Sequence, residues 1–342
     1  MENRTLLHLQ ITDGQLEEHP KNVLDLNSHV ESMKINLQIN DAKICFYLSW
    51  KHPLNVPADD ELSRHLIREK STTLNNRSKE LCKRFVTISK LPGRIGNQMF
   101  EIASVIGVAY SYDLIPIIPH MSVLNKYIDL PNRFNTSLKG LENVVNCHCR
   151  KAAVFYSCES SLNSTANVTM HGYLQSWKYF NDAEHIIRKV YSLKKVHIIN
   201  ARKFLDSVTT YGYQHVCIHV RRGDFLRKRS EGYTTAGVDF IERARNFYKN
   251  KYSKVDFVLV SNDKTWCRKK VKDVAISPFN NAGDDMALMT ISDHVIVTSG
   301  TFGWWGAWLS RGTTVYFKGY PGNALSSLFN RSDYYPQSWI GL

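Results

Sequence analysis

Residues 215–225 read His-Val-Cys-Ile-His-Val-Arg-Arg-Gly-Asp-Phe, an apolar run that stops abruptly in His219, Arg221, Arg222 and Asp224. Its first half has the pattern of a strand buried on both faces. Two adjacent arginines at a strand's carboxyl end are costly to desolvate unless an anion or a carboxylate meets them. In open α/β sheets that end is where ligands sit. Alternation points Arg221 and Arg222 to opposite sides, so one meets a ligand while the other pairs internally. The same residues also fit a purely structural arginine–aspartate pair at a sheet edge.

A second stretch carries compatible chemistry. Residues 299–303, Ser-Gly-Thr-Phe-Gly, put small residues and a hydroxyl at a strand-to-helix turn. Free backbone N–H groups and the helix dipole suit a phosphate there. The spacing is not a P-loop, and Gly93 and Gly96 fall short of Gly-x-Gly-x-x-Gly, so dinucleotide oxidoreduction has little support. Joined to an arginine from a neighbouring strand, the turn makes a pyrophosphate clamp. Asp284-Asp285 is the nearest approach to a metal-binding carboxylate pair, and it equally suits a helix N-terminus. With pyrophosphate leaving, arginine and helix N–H groups would carry the charge that a divalent ion carries elsewhere, so no metal is expected.

The elements that must position these groups follow from periodicity. A strand over 85–89 turns through 91–99 into a helix whose Ile95, Met99, Ile102, Ile106 and Ala109 form one apolar stripe. A short strand over 115–119 completes a βαβ unit. Residues 131–180 read as loop-rich, closing on an aromatic turn at 171–177 able to stack on a sugar face. The second half repeats the plan: strands at 215–220, 256–261, 294–299 and 313–317, and helices near 238–252 and through Leu309. Three of these strand ends carry polar groups, and right-handed connections place them along one rim of a parallel sheet. Residues 1–83 are polar and poorly periodic, an extension or stem with one short strand or tether at 44–50.

The bulk numbers agree with a folded enzyme-sized chain. At 342 residues, with 43% hydrophobic and 22% charged residues, it holds two ordinary domains with real cores. The net charge of +13 points to an anionic partner. The base is scattered and no nucleic-acid module is present, which favours a modest anionic ligand over a nucleic-acid groove. The seven cysteines leave at least one thiol free. Cys147-His148-Cys149, with Cys158 nearby, lacks the second matching pair of a structural zinc site. Sequons stand at Asn3, Asn76, Asn135, Asn163, Asn167 and Asn330. The Asn163 and Asn167 pair reads as a polar loop usable in a secretory lumen. The amino terminus shows neither a signal-peptide h-region nor a membrane span.

Four motifs in order carry a resemblance: Gly93-Arg-Ile-Gly-Asn-Gln-Met99, His219-Val-Arg-Arg-Gly-Asp224, Ser261-Asn-Asp…Trp266-Cys-Arg268, and Asp285-Met-Ala-Leu-Met-Thr…Thr298-Ser-Gly-Thr-Phe-Gly-Trp-Trp…Leu309. With the ending Tyr335-Pro-Gln-Ser-Trp-Ile-Gly341, they cover about residues 84–342 of a chain that resembles the α-1,2-fucosyltransferases of glycosyltransferase family 11. The resemblance implies an α/β, GT-B-like fold of two Rossmann-type domains with a cleft between them. Their bounds would be 84–195 on the acceptor side and 196–342 for the donor. It implies inverting, metal-independent transfer of L-fucose from GDP-β-L-fucose to the 2-hydroxyl of a galactose-terminated glycan, with no cofactor besides the donor.

By motif, His219, Arg221 and Arg222 fall at the donor, with Arg221 on the pyrophosphate. Asp285 would contact guanine, while Ser299, Thr301 and Phe302 would line the phosphate or fucose end. Arg94, Asn97 and Gln98 would face the cleft, and Asp224 would hold Arg222 or the loop. The Trp304-Trp305 pair is bulkier than in many versions of that turn, a departure that leaves the acceptor, rather than the donor, open. The family is usually membrane-anchored, so the resemblance and the sequons together imply the Golgi lumen. Two alternatives stay open: a fucosyltransferase of other linkage or protein acceptor, and a catalytically silent glycan-binding relative.

Overall fold

The computed structural model describes residues 84–119, 123–128 and 143–342. The 1–83 extension, the short strand read at 44–50 and the sequons at Asn3, Asn76 and Asn135 lie outside the described residues.

Two parallel sheets organise the described chain. The first is built from β1 (Phe85–Ile88), β2 (Ile115–Ile117), β3 (Val144–His148) and β4 (Asn167–His171), in the order β2-β1-β4-β3. Every residue of β1 is buried, as a central strand of β-branched and aromatic residues requires. Pro116 lies in the edge strand β2, where a missing N–H breaks no ladder. Helix α1 (Ile95–Tyr112) connects β1 to β2.

The expected single stripe on α1 needs correcting. Between Gly96 and Ala109 the helix is buried all round except at Asn97. Its outer face packs on a helix of the second sheet, and a helix covered on both sides has no solvent face to keep polar. Two strands, β3 and β4, also run through the stretch expected to be loop-rich. Asn167 is therefore the first residue of a strand, and its side-chain oxygen accepts the Phe85 N–H at 3.1 Å. Asn163 and Asn330 remain exposed.

Between the sheets the chain forms α2 (Glu184–Val190) and α3 (Lys195–Val208). The second sheet contains β5 (Gln214–Val220), β6 (Val255–Ser261), β7 (Ala275–Ile276), β8 (His294–Val297), β9 (Thr314–Tyr316) and β10 (Ile340–Gly341). Their order is β10-β9-β8-β5-β6-β7, all parallel. The intervening helices are α4 (Gly223–Arg227), α5 (Val238–Lys251), α6 (Lys264–Lys270), α7 (Ala282–Ile291) and α8 (Thr301–Ser310). From β5 the chain steps through α5 to β6 on one side; from β8 it steps through α8 to β9 on the other. Adjacent strands whose connections diverge open a crevice at their carboxyl ends.

The two halves meet at α1 and α8. The Trp305 indole N–H donates to the Gly96 carbonyl at 3.1 Å, and the Thr301 hydroxyl donates to Asn97 Oδ1 at 2.9 Å. A Cβ on Gly96 would stand 2.6 Å from the Thr301–Phe302 backbone, so only glycine permits this approach. Trp304 and Trp305 are fully buried in this seam, and the Trp304 N–H donates to the Tyr334 carbonyl. The pair therefore belongs to the core.

Among the described residues, the one group of three potential metal ligands is Cys147, Cys149 and Cys158. Cys147 and Cys158 form a disulfide, which removes two of the three sulfurs from any zinc site. The buried Cys149 thiol accepts from the Tyr179 hydroxyl at 3.4 Å, and burial raises its pKa.

Candidate active site

The carboxyl ends of β5, β6 and β8 open on a cavity of about 880 Å³, and the ends of β1 and β4 supply its opposite wall. From the first sheet come Gly93, Arg94, Asn97, Tyr173 and Gln175. The second sheet brings His219, Arg221, Ser261, Asn262, Asp285, Ser299, Gly300, Thr301 and Phe302.

His219 is buried near the end of β5, and burial together with the adjacent Arg221 pushes its pKa down to about 3. The imidazole is therefore neutral at any physiological pH. Arg221 leaves the strand with its N–H bonded to the Thr298 hydroxyl at 2.9 Å, which ties the β5 and β8 ends together. Its guanidinium reaches Asp224 at 2.7 Å and lies over the Phe225 ring at 5.4 Å. Burial alone would raise the Asp224 pKa; the bond and charge of Arg221, with Arg94 at 3.9 Å, hold it below the ordinary range. Asp224 therefore fixes Arg221, which corrects the expectation that it serves Arg222.

Arg222 is the second correction. It stacks on the Trp266 ring at 3.9 Å and lies 3.6 Å from Asp263, and it does not line the cavity. The alternation along β5 sends it to the other side of the strand, where α6 and its capping residue Asp263 supply the partners.

At the end of β8, Gly300 has φ 84°, a conformation that L side chains rarely adopt, and it swings the chain into α8. The N–H groups at the start of α8 have no partner within the helix, as at any helix start. Three buried polar atoms nearby also lack hydrogen-bond partners: Arg221 Nε, His219 Nδ1 and Ser299 Oγ. Unmet polar groups of this kind, beside a helix N-terminus and a guanidinium, have the chemistry that an anion would satisfy.

Asp285 lines the cavity. Asn281 caps α7 by accepting the Asp284 N–H at 2.9 Å. Ser277 donates to Asp285, yet burial outweighs this bond and raises the Asp285 pKa to about 6. Asp284 turns away to His197 at 2.7 Å and to Asn200. The two carboxylates thus serve different sites and do not converge on a metal.

Of the first-sheet candidates, Arg94 is exposed on the cavity wall and Asn97 is held there by Thr301 and Gln175. Gln98 is not in the cavity. It is buried on the opposite side of α1, where it donates to the Leu91 carbonyl at 3.1 Å and accepts the Val123 N–H at 2.9 Å. Gln98→Leu would leave both backbone groups unmatched, a loss of about 1–3 kcal/mol. It should lower the denaturant midpoint and leave nucleotide affinity unchanged; a variant of native stability with weakened nucleotide binding would place Gln98 in the site after all.

Sequence reasoning missed Lys264, Phe279, Asn280, Tyr233, Leu328 and Phe329 in the lining. Only Lys264 carried a signal, three residues beyond the polar end of β6. The others reach the cavity on loops without periodicity.

Two doubly wound sheets whose strand ends face each other across a polar cleft form a GT-B-like glycosyltransferase. The chain belongs to glycosyl transferase family 11, whose pattern its residues 54–342 match. It is similar to the galactoside 2-alpha-L-fucosyltransferase Sec1 of Mus musculus, with 29% identity over 272 residues, 74% of this chain and 73% of that protein. It is likewise similar to the galactoside alpha-(1,2)-fucosyltransferase 2 of Rattus norvegicus, with 28% identity over 73% of this chain and 75% of the relative. The structure is similar to that of the fucosyltransferase NodZ from Bradyrhizobium, at 15% identity and a TM-score of 0.46, covering 66% of this chain and 93% of that one. The chain is a fucosyltransferase of this family.

Proposed function

We propose that this enzyme transfers L-fucose from GDP-β-L-fucose to the 2-hydroxyl of a terminal β-galactoside, with inversion and without a metal. The observation that carries the reading is the group of unpartnered polar atoms on Arg221, His219 and Ser299 beside the N-terminus of α8. This cluster receives the pyrophosphate. As the bond from the sugar anomeric carbon to the β-phosphate oxygen breaks, negative charge collects on departing GDP. In this reading the Arg221 guanidinium and the α8 N–H groups meet that charge. Asp224 keeps the guanidinium in place, so little reorganisation accompanies the step. Neutral His219 donates or accepts a hydrogen bond without adding charge.

Asp285 reads the base, because a carboxylate accepts from both guanine N1–H and its 2-amino group. The acceptor enters from the side of Arg94, Tyr173 and Gln175, and the division of labour falls at residue 195, donor domain after and acceptor domain before. Exposed sequons at Asn163 and Asn330 and the Cys147–Cys158 disulfide support a secretory compartment such as the Golgi lumen. No described helix is long and apolar enough to cross a membrane.

The test is incubation of the full chain with GDP-fucose and lactose in EDTA, followed by linkage analysis of the product. An α-1,2-fucosylated galactose is expected; another linkage, or activity that manganese alone restores, contradicts the reading. The Asp285 assignment has its own pH signature. Its ionised form predominates above about pH 6, so GDP affinity should hold above that value. Below it, affinity should fall about tenfold per pH unit. Asp285→Asn should flatten this slope, and a wild-type affinity constant between pH 7.5 and 5 would remove Asp285 from base recognition.

A further inference from the structure

A second cavity, of about 820 Å³, opens at the far end of α8 from the cleft. Thr301 and Phe302 at the start of the helix line the active site, whereas Ala307 and Trp308 near its end line this groove. Ten residues at 1.5 Å per residue put the two sites roughly 15 Å apart.

Three tryptophans, Trp177, Trp308 and Trp339, form much of the groove. Their ring nitrogens differ from those of the core. Trp304 and Trp305 donate to the Tyr334 and Gly96 carbonyls, and Trp177 donates to the Ser332 carbonyl. Trp308 and Trp339 have no acceptor for their N–H among the described residues, and both line the groove. Neither ring nitrogen is sealed from the groove, so each is free to donate to a polar ligand there.

Arg188 completes the floor. Its guanidinium lies 4.0 Å from the Trp308 ring centroid, with Nε on Glu184 at 2.7 Å and Nη1 on the Trp308 carbonyl at 2.8 Å. Nη2 has no protein acceptor among the described residues. The exposed Asp182 carboxylate stands at the rim with no ion-pair partner among them. Indole rings and planar donors and acceptors thus line one groove. That pattern matches a pyranose, which has a C–H face and a hydroxyl edge. It does not match an amphipathic helix, whose apolar stripe is continuous.

We propose that this groove is a second carbohydrate-binding site. It holds a pyranose ring of a glycan against Trp177 and Trp339, with hydroxyls on the Trp308 N–H, Arg188 and Asp182. The site is separate from the donor cleft. A glycan that engages it gains a high effective concentration at the protein without any new contact in the cleft.

The test uses full-length protein labelled with ¹⁵N at tryptophan and saturated with GDP. The probe is a free galactose-terminated biantennary N-glycan, which presents mannose, N-acetylglucosamine and galactose rings together. The Trp308 and Trp339 indole signals, assigned through Trp308→Phe and Trp339→Phe, should shift saturably while that of Trp266 stays fixed. Trp177→Ala should abolish the shift. Asp182→Ala, an exposed substitution that leaves the fold untouched, should weaken the glycan at least fivefold. Both variants should keep native GDP affinity. No saturable shift in the wild type, or a shift that survives both substitutions, overturns the proposal. So does a shift lost in Arg221→Ala but kept in Trp177→Ala, because binding would then belong to the cleft. The readout is binding, so it stands apart from the success or failure of the transfer reaction.

Discussion

Arg221→Ala is expected to lower fucosyl transfer by about 100- to 1,000-fold, the scale set by losing one preorganised donor to a developing anion. The same substitution should weaken GDP by about tenfold or more, as loss of a charged hydrogen bond implies. Stability should change little. Arg221 is partly exposed at the cavity, and Asp224 keeps Asn262 and Arg94 as neighbours after truncation. Arg221→Lys retains charge but loses the planar fork that meets Asp224 and phosphate together, so it should fall between wild type and alanine. Arg222→Lys makes the contrast: Arg222 packs on Trp266, so its loss should lower the melting temperature before it touches GDP. A folded Arg221→Ala protein with native GDP affinity would exclude the clamp.

Glu101→Gln is expected to stabilise the protein at pH 7 by about 3 kcal/mol. Glu101 sits on α1, fully buried, and neither carboxylate oxygen has a hydrogen-bond partner. Burial raises its pKa to about 9, against 4.5 for the unperturbed group. The folded protein therefore holds a proton that the unfolded chain releases at neutral pH. For an acid with a raised folded value, the cost is absent below pH 4.5 and grows as pH rises, until it levels near 9. Glutamine keeps the shape and never ionises, so the variant should lose this slope. Melting curves from pH 5 to 9 check it: wild type should fall relative to Glu101→Gln across that range, by several degrees at pH 7. Parallel curves would mean that the carboxyl is solvated or paired.

Both predictions turn on residues that the sequence treats unequally. Arg221 stands out, because a β-branched run ending in two arginines is a local signal. The run also told that one arginine pairs internally. It could not tell which, since Asp224 lies three residues from Arg221, whereas the partners of Arg222 sit about forty residues on, in α6 and at its N-cap. Glu101 was invisible: a glutamate in a helix reads as solvent-facing, and its burial comes from tertiary packing around α1, with Tyr191, far along the chain, among its neighbours. Gln98 was misread for a related reason. It sits next to Asn97 in one motif, but a helix turns successive residues about 100° apart, so one faces the cavity and the other the loop of Val123.

The strands show the same division. β5, β6 and β8 are buried on both faces and announce themselves as apolar runs. β3 and β4 alternate polar residues with few apolar ones, as in Asn-Val-Thr-Met-His, and only sheet pairing, of β4 with β1 and of β3 with β4, distinguishes them from loop. The turn into α8 was legible because Gly300 and its small neighbours are required there by backbone geometry.

The central claim is that the β5 end and the α8 N-terminus grip a diphosphate while Asp285 reads guanine. Calorimetric titration of the full chain with GDP, GMP, UDP and ADP in EDTA tests it most directly. The account predicts that GDP binds, GMP binds more weakly for want of the second phosphate, and UDP and ADP bind weakest for want of the guanine edge. Equal affinity for GMP and GDP would contradict the clamp, equal affinity for UDP and GDP would contradict the base contact, and silence toward all four by a folded protein would contradict both.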